Sequence, residues 1–211
     1  MGDGLPEYST KKHNNGGYKM GYLKYVRDLW KKPKENMKEL LRERIIAWRQ
    51  EPVTVRLEHP TRIDRARSLG YKAKLGYIII RQRVDRGGRM RIHERGGRRP
   101  KHFRLRKILD MNYQQIAETR ASKQYTNCEV LNSYKVAEDG LYYWYEIILV
   151  DRAHPSIIAD DRINWICDKK GRSERGLTSA GRKSRGLRHR GKGAEKLRPS
   201  RNANLTMRGK K

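Results

Sequence analysis

The chain has 211 residues, with 51 Lys and Arg against 23 Asp and Glu and a formal net charge of +28. So large an excess of one sign favours a polyanionic partner, with nucleic acid the first candidate and an anionic membrane surface the second. No apolar run approaches the roughly 20 residues that span a bilayer, and no signal-peptide pattern opens the chain. The 2 cysteines and 6 histidines lack metal-ligand spacing, so we expect no membrane segment, no disulfide framework and no metal site.

An extension and two helices come first in chain order. Residues 1–19 are rich in Gly, Asn and Lys, which predicts disorder or an arm that orders on a partner. From Met20 onward, "YLKYVRDLW" places apolar residues at the three-and-four spacing of a helix, which Pro33 ends or restarts. A second helix is predicted over Glu35–Trp48.

Two strand candidates follow, joined by a basic link. "VTVRLEHP" alternates like a short strand, and "YIIIRQRV" (Tyr77–Val84) predicts a second strand with Arg81 and Arg83 on one cationic face. The link between them, "RIDRARSLGYKAKLGY", is punctuated by turn residues. We expect Trp and Tyr mainly in the core, with Tyr71 and Tyr77 as the candidates for stacking on nucleic-acid bases.

The next segment, residues 85–107, is predicted to be a basic loop. It contains a small repeat, "DRGGR" and then "ERGGR", whose glycine pairs allow the backbone to approach a ligand closely. Between Arg81 and Lys107 there are 12 basic residues and 2 acidic ones. A solvated hairpin with turn glycines would also explain the repeat, but the charge favours binding to phosphates.

The last regular elements are a helix and an antiparallel pair of strands. A helix is predicted over Asn112–Tyr125 with Asn112 as its cap, and the strands over Val130–Val136 and Leu141–Val150. A further short strand is predicted over Ile163–Cys167. These elements predict a globular α+β domain over residues 20–168, with a small, mostly antiparallel sheet and packed helices.

Residues 169–211 are predicted to form an extended basic tail. They hold 16 Lys and Arg against 2 Asp and Glu, and after Cys167 no Val, Ile, Phe, Trp or Tyr occurs. Such a segment cannot bury enough apolar area to fold alone. Glycine recurs at every fifth position from 171 to 191, either by chance or because glycines discourage helix and let backbone amides approach phosphates.

Within this tail, "GLTSAGRKSRG" (Gly176–Gly186) comes close to the phosphate-binding loop of nucleotide hydrolases. Arg182 interrupts the required Gly-Lys-Ser order, and the apolar strand ending in Asp151 precedes the loop instead of following it. The residues after the loop do not predict the helix that such a site needs. Ser179 and Ser184 have no identifiable base, so we expect neither an NTPase nor another enzyme, no cofactor and no small-molecule substrate.

Several long segments resemble the large-subunit ribosomal protein fifteen-e family of archaea and eukaryotes, which is distinct from the bacterial protein fifteen. The segments are "GYLKYVRDLW" (Gly21–Trp30), "RARSLGYKAKLGY" (Arg65–Tyr77), "VLNSYKVAEDG" (Val130–Gly140), "YEIILVDRAHPSI" (Tyr145–Ile157) and "GLTSAGRKSRGL" (Gly176–Leu187). The family typically begins at a position equivalent to Met20, so residues 1–19 are an extension or a misplaced start. The region 90–104 and the chain beyond Gly191 depart from the eukaryotic pattern, which favours an archaeal member.

The resemblance implies a structural, non-enzymatic protein of the large ribosomal subunit in the cytoplasm, bound to ribosomal RNA and to neighbouring large-subunit proteins. RNA shape is expected to dominate recognition, because A-form grooves hide base edges. A free-standing RNA-binding chaperone or RNA-modification factor is the alternative, with an NTPase as a remote third. The residues expected to contact RNA phosphates are Arg65, Arg67, Lys72, Lys74, Arg81, Arg83, Arg86, Arg89, Arg91, Arg95, Arg98, Arg99, Arg172, Arg175, Arg182, Lys183, Arg185, Arg188, Arg190 and Lys192.

Overall fold

The computed structural model describes residues 21–90, 106–107, 109–189, 191–192, 194 and 197. The helices are α1 (Leu23–Leu29), α2 (Pro33–Asn36), α3 (Lys38–Gln50), α4 (Ile63–Ser68), α5 (Tyr113–Gln124), α6 (Pro155–Ile158) and α7 (Ser179–Ser184), with a 3₁₀ turn at Asn164–Ile166. The strands are β1 (Thr54–Leu57), β2 (Tyr77–Asp85), β3 (Arg89–Met90), β4 (Arg106–Lys107), β5 (Cys128–Glu138) and β6 (Tyr142–Asp151). Across these ranges, no helix combines the length and the apolar character needed to cross a membrane.

The main sheet is antiparallel throughout, in the order β1-β2-β6-β5, while β3 and β4 form a separate two-stranded ladder. The two central strands, β2 and β6, are covered on both faces, which explains their nearly continuous apolar sequences. Ile79 and Ile148 face one side, and Ile80 and Ile147 face the other. This architecture confirms the predicted α+β fold with a small antiparallel sheet.

Helices cover each face of the sheet. On one face, Trp48 of α3 lies against Trp144 of β6, with ring centroids 6.1 Å apart, and Ala66 of α4 is fully buried. On the other face, Ala117 and Ala121 of α5 are fully buried against the sheet. The small alanine side chains allow α5 to lie close to the strands.

Local signals predicted most elements correctly, although the short helices α4, in the basic link, and α6 were not predicted. Asn112 caps α5 as expected, since its Oδ1 accepts a hydrogen bond of 2.8 Å from the N–H of Gln115. The helix predicted over Glu35–Trp48 is instead broken at Met37. The predicted strand at Ile163–Cys167 is wrong: the segment forms a 3₁₀ turn because Ile163 and Ile166, three residues apart, both enter one small apolar cluster.

The largest correction concerns the start of the predicted tail. The chain between residues 169 and 189 is not extended: Ser173 and Thr178 are fully buried, and Ala180 is 2% exposed. These small residues lack the bulk for a core of their own, but they pack on α5 and β5, which already exist. The predicted arm at 1–19 and most of the predicted loop at 85–107 lie outside the described residues.

Candidate nucleic-acid interface

The basic link between β1 and β2 is fixed to the sheet at its start. Glu146 of β6 is fully buried, and its carboxylate accepts a hydrogen bond of 3.1 Å from the backbone N–H of Thr61 and another from the hydroxyl of Tyr134. Burial raises the pKa of Glu146, opposed in part by these hydrogen bonds. The buried carboxylate therefore sets where the link leaves the sheet.

The end of the link is held by an ion-pair cluster. Asp160 lies 2.8 Å from Nζ of Lys72 and 2.6 Å from Nζ of Lys74, and Lys74 also donates to the carbonyl of Ser156 at 2.9 Å. Hydrogen bonds from the two ammonium groups lower the pKa of Asp160. Between the two attachments, Arg65 and Arg67 lie exposed on α4. The link thus presents exposed cations from a backbone that is fixed at both ends.

The aromatic residues of the link belong to the core and not to its surface. Tyr71 is buried, and its ring meets that of Tyr77 edge to face, with centroids 6.0 Å apart. The two candidates for base stacking thus pack on each other and on the core of the protein. Their pairing across a turn was not visible in the sequence.

The two arginines predicted on the cationic face of β2 are engaged within the protein. Arg81 is 7% exposed, with its guanidinium 4.4 Å from the ring centroid of Trp48 and paired with Glu51. Arg83 lies 4.7 Å from the ring centroid of Tyr142 and donates to the carbonyl of Arg49 at 2.7 Å. This face is cationic, but α3 covers it.

Beyond β2, the antiparallel pair of β3 and β4 forms a hairpin, and the base of this hairpin, residues 85–90, presents exposed cations. Arg86 and Arg89 are both exposed, although Arg86 also stacks on Tyr143 at 4.9 Å. The hydroxyl of Tyr113 accepts a hydrogen bond from the N–H of Gly87 and donates one to its carbonyl, each at 3.0 Å. The hairpin backbone is therefore tied to α5. Arg91, Arg95, Arg98 and Arg99 lie outside the described residues.

The C-terminal segment follows β5 and α5 from one end of the sheet to the other. At its start, Glu129 of β5 accepts hydrogen bonds from the backbone N–H groups of Gly171 at 2.7 Å and Arg172 at 3.2 Å. Further along, Glu118 of α5, itself fully buried, accepts one from the hydroxyl of Thr178. Burial raises the pKa of Glu118.

At the far end, Asn112 joins this segment to the start of α5. Its side-chain amide donates to the carbonyl of Ala180 at 3.0 Å, and its backbone N–H donates to the hydroxyl of Ser184 at 3.1 Å. Because Tyr113 contacts Gly87, the segment ends beside the hairpin. It therefore connects the two ends of the sheet.

The near-match to a nucleotide loop folds as a compact turn and helix. Residues 167–178 lead into α7 as turns, and Thr178 caps the helix by accepting a hydrogen bond of 3.2 Å from the N–H of Gly181. Helix α7 thus forms inside the loop segment, whereas the residues that follow it, 185–188, form turns and not the helix that a nucleotide site needs. Gly176 has φ of +64°, and a Cβ atom at position 181 would lie 2.5 Å from Cα of Gly176. The loop closes on itself, with no strand before it, unlike the nucleotide-binding arrangement.

The five-residue glycine spacing corresponds to repeated turns. Positive φ angles occur at Gly171, Gly176, Gly186 and Gly191, whereas Gly181 is helical and packs against Gly176. The structure therefore favours a conformational reason for this spacing over chance, because four of the five glycines have a positive φ. Arg182 and Lys183 project from α7 and are exposed.

Comparison with known proteins shows the family of this chain. The family model that matches the chain is the L15e model, described as ribosomal L15, and it covers residues 21–204. The chain belongs to the ribosomal L15e family. One relative is the large ribosomal subunit protein eL15 of Methanocorpusculum labreanum, which is 54% identical over 178 residues, covering 83% of this chain and 92% of the relative. The resemblance inferred from the sequence motifs is confirmed, and the archaeal relative is consistent with an archaeal member.

Among the predicted contact residues that the structure describes, most are on the surface of this L15e protein, though not all. Arg81 is buried, and Arg172 is half-buried, with its guanidinium 4.8 Å from the ring centroid of Trp165 and donating to the carbonyl of Val130. Lys74, Arg83 and Arg185 are also half-buried, and Arg190 lies outside the described residues. The exposed ones are Arg65, Arg67, Lys72, Arg86, Arg89, Arg175, Arg182, Lys183, Arg188 and Lys192.

The fold brings the three basic segments of the L15e protein into two neighbourhoods. At one end of the sheet, the link and the start of the C-terminal segment meet at Leu131: a Cβ atom on Gly70 would lie 3.3 Å from its Cδ2, and Arg172 donates to its carbonyl at 3.3 Å. At the other end, α7 lies next to the hairpin. Two exposed cations of α5, Arg120 and Lys123, are close to that hairpin and were missed, because isolated cations on a helix look like an ordinary solvated face.

Proposed function

We propose that this protein is a structural constituent of the large ribosomal subunit that binds and scaffolds its ribosomal RNA. Membership of the L15e family supports the assignment, as does the name of the archaeal relative. Its location would be the cytoplasmic ribosome, with neighbouring large-subunit proteins beside it. We expect no catalytic activity and no cofactor.

The observation that carries the proposal is the way the basic segments are held. Exposed arginines and lysines lie on segments whose backbones are fixed by the buried carboxylates of Glu118, Glu129 and Glu146. A cation on a segment whose backbone is fixed before binding loses less conformational entropy when it contacts a phosphate. Folding thus prepares a surface for a rigid polyanion, and folded RNA has that character.

Phosphate contacts would come from the exposed cations at both ends of the sheet. Arg65, Arg67 and Arg175 would serve one neighbourhood, and Arg89, Arg182 and Lys183 the other. Arginine can bridge two phosphate oxygens, which suits a protein that reads RNA shape. Arg91, Arg95, Arg98, Arg99 and Arg190 are proposed to extend these surfaces. Arg81 and Arg172 are assigned to holding the fold, because their guanidinium groups face protein atoms.

Sedimentation of cell extract through sucrose gradients tests the assignment. At ordinary salt, the protein should travel with large subunits, and high salt should release it as counterions replace phosphate contacts. A protein that remains free of large subunits at ordinary salt would overturn the ribosomal assignment and favour the chaperone or modification factor. Affinity for purified large-subunit RNA that does not change with salt would contradict the phosphate-binding account.

A further inference from the structure

A cavity of about 470 Å³ lies between the end of β2, the hairpin base and α5. Its apolar side includes Val84, which is 2% exposed, the half-buried Ile116, and Met111, which is 45% exposed. Ligand cavities in proteins usually measure about 300–1,000 Å³, so there is room for a group of nucleobase size. The phosphate contacts proposed above do not use this apolar surface.

The rim of the cavity is strongly cationic. Arg86, Arg89, Arg120 and Lys123 lie around it, with Asp85 as the one carboxylate among its described lining residues. Across the part of the chain that the structure describes, the side chains of Arg89, Arg120 and Lys123 make no ion pair or hydrogen bond. A net excess of three positive charges beside an apolar wall is unfavourable for an apolar peptide and favourable for an anionic ligand with an apolar part.

One wall of the cavity is fixed by hydrogen bonds and ring packing within the protein. Tyr113 binds both the N–H and the carbonyl of Gly87 through its hydroxyl, and its ring packs on Tyr143 with centroids 4.8 Å apart. The hairpin base and α5 are therefore held at a set separation. A preformed cavity avoids the ordering cost that a flexible one would add on binding.

We propose that this cavity receives one unstacked RNA nucleotide, with its base against the apolar wall and its phosphates on the rim cations. The proposal rests on the RNA-binding function above and extends it from phosphate contacts to the capture of a single base. A nucleotide fits because it combines a flat, largely apolar base with negative charge, as single-stranded RNA ligands do. A free phosphate would leave the apolar wall without a partner.

Methyl NMR of the full-length protein provides the test. The protein would carry labelled Ile, Val and Met methyl groups and would be titrated with a five-residue single-stranded RNA, then with a matched pentamer lacking bases. We expect the signals of Met111 and Ile116 to shift with the RNA and not with the abasic pentamer. Equal shifts with both pentamers, or contacts from residues 91–105 to these methyls in RNA-free protein, would overturn the proposal.

A matched pair of variants provides a second test of the cavity, through their affinity for the RNA pentamer. Thr119→Trp would fill the cavity from α5, whereas Gln124→Trp adds the same ring to an exposed position of the same helix outside the lining. We expect Thr119→Trp to weaken binding of the RNA pentamer at least about fivefold, the lower range for one stacked base, and to leave abasic binding unchanged. If Thr119→Trp fails to fold, Met111→Ser replaces it with the same expectation.

The outcomes separate this proposal from the wider function. Salt-dependent binding of the pentamer without shifts at Met111 and Ile116 would overturn the nucleotide cavity and leave the ribosomal assignment intact. Equal affinity of Thr119→Trp and Gln124→Trp for the RNA pentamer would do the same. Failure of the sedimentation experiment would instead remove the assignment on which the cavity proposal rests.

Discussion

The carboxylate of Glu129 accepts a hydrogen bond of 2.7 Å from the backbone N–H of Gly171, which lies 42 residues later in the chain. Glu129 is 3% exposed, and the same carboxylate binds the N–H of Arg172. Glu146 likewise accepts a hydrogen bond from the backbone N–H of Thr61, and Glu118 accepts one from the side-chain hydroxyl of Thr178. In a chain of net charge +28, three scarce acidic groups are thus used to position the basic segments.

Replacing Glu129 by Ala should release the start of the C-terminal segment. The change removes two charge-assisted hydrogen bonds and leaves the N–H groups of Gly171 and Arg172 unpaired, so we expect a loss of about 2–3 kcal/mol in the free energy of unfolding. Urea denaturation would measure this loss. Trypsin should also cleave faster after Arg172 and Arg175.

Glu174→Ala is the matched control for that variant. Glu174 is exposed, and its carboxylate accepts a hydrogen bond from the neighbouring Ser173. Its removal should change the free energy of unfolding by less than about 0.5 kcal/mol. Similar losses in the two variants would contradict the special role given to Glu129.

The pH dependence of stability should reveal the buried state of Glu118. Burial raises its pKa above the ordinary value of 4.5, so the folded protein holds this proton more tightly than the unfolded chain. The contribution is therefore fully present below about pH 4.5 and is lost as pH rises through the folded pKa. Glu118→Gln should flatten the fall in unfolding free energy that begins above about pH 4.5, measured by urea denaturation at each pH.

Asp160 should contribute the opposite pH dependence to the free energy of unfolding, which the Asp160→Asn variant tests. Hydrogen bonds from Lys72 and Lys74 lower the pKa of Asp160 below its ordinary value of 3.8. Its contribution is present above about pH 3.8 and is lost as pH falls through the lowered value. Asp160→Asn should therefore alter the pH profile below pH 4 and leave the slope above it unchanged. Identical profiles for the two variants would refute both assignments.

Elements with local signals could be predicted from sequence. The apolar runs of β2 and β6 and the cap at Asn112 depend on neighbours within a few residues, and each was placed correctly. The folding of residues 169–189 depends instead on Glu118 and Glu129, which lie far away in the chain. The sequence shows that this segment lacks core-forming residues, but it cannot show that an existing sheet will bury it.

The same limit applies to individual cations. Arg81 and Arg89 both lie in one basic stretch, and nothing in that stretch distinguishes them. Burial against Trp48, which comes from α3, makes Arg81 part of the fold. Arg89 stays exposed on β3, which pairs with β4 in a two-stranded ladder separate from the main sheet. Sequence therefore predicted a basic surface correctly but not which of its members reach solvent.

A pair of glycine variants should separate close packing from simple chain flexibility. Gly181→Ala would place a Cβ atom 2.5 Å from Cα of Gly176, a clash with backbone that cannot move without opening the loop. We expect thermal denaturation to show a loss of about 1–3 kcal/mol, the range for overpacking. At Gly140, a Cβ atom would meet nothing within 4 Å, so Gly140→Ala should be close to neutral. Equal effects would show that Gly176 and Gly181 do not touch.

Arg81→Ala and Arg89→Ala should affect different properties, although both remove one cation. Arg81 pairs with Glu51 and stacks on Trp48, so its loss should lower the free energy of unfolding by about 2 kcal/mol, reduced from a fully buried pair because Glu51 is partly exposed. Binding of large-subunit RNA by the folded variant should be unchanged. Denaturation and filter binding would measure the two quantities.

Arg89→Ala should give the reverse result. Its side chain is exposed, so stability should stay within about 0.5 kcal/mol of the parent protein. Loss of one phosphate contact should weaken RNA binding and reduce the slope of log affinity against log salt by about one. If Arg81→Ala lowered the salt slope while Arg89→Ala did not, the roles of the two arginines would be exchanged, and α3 would have to move away from β2 when RNA binds.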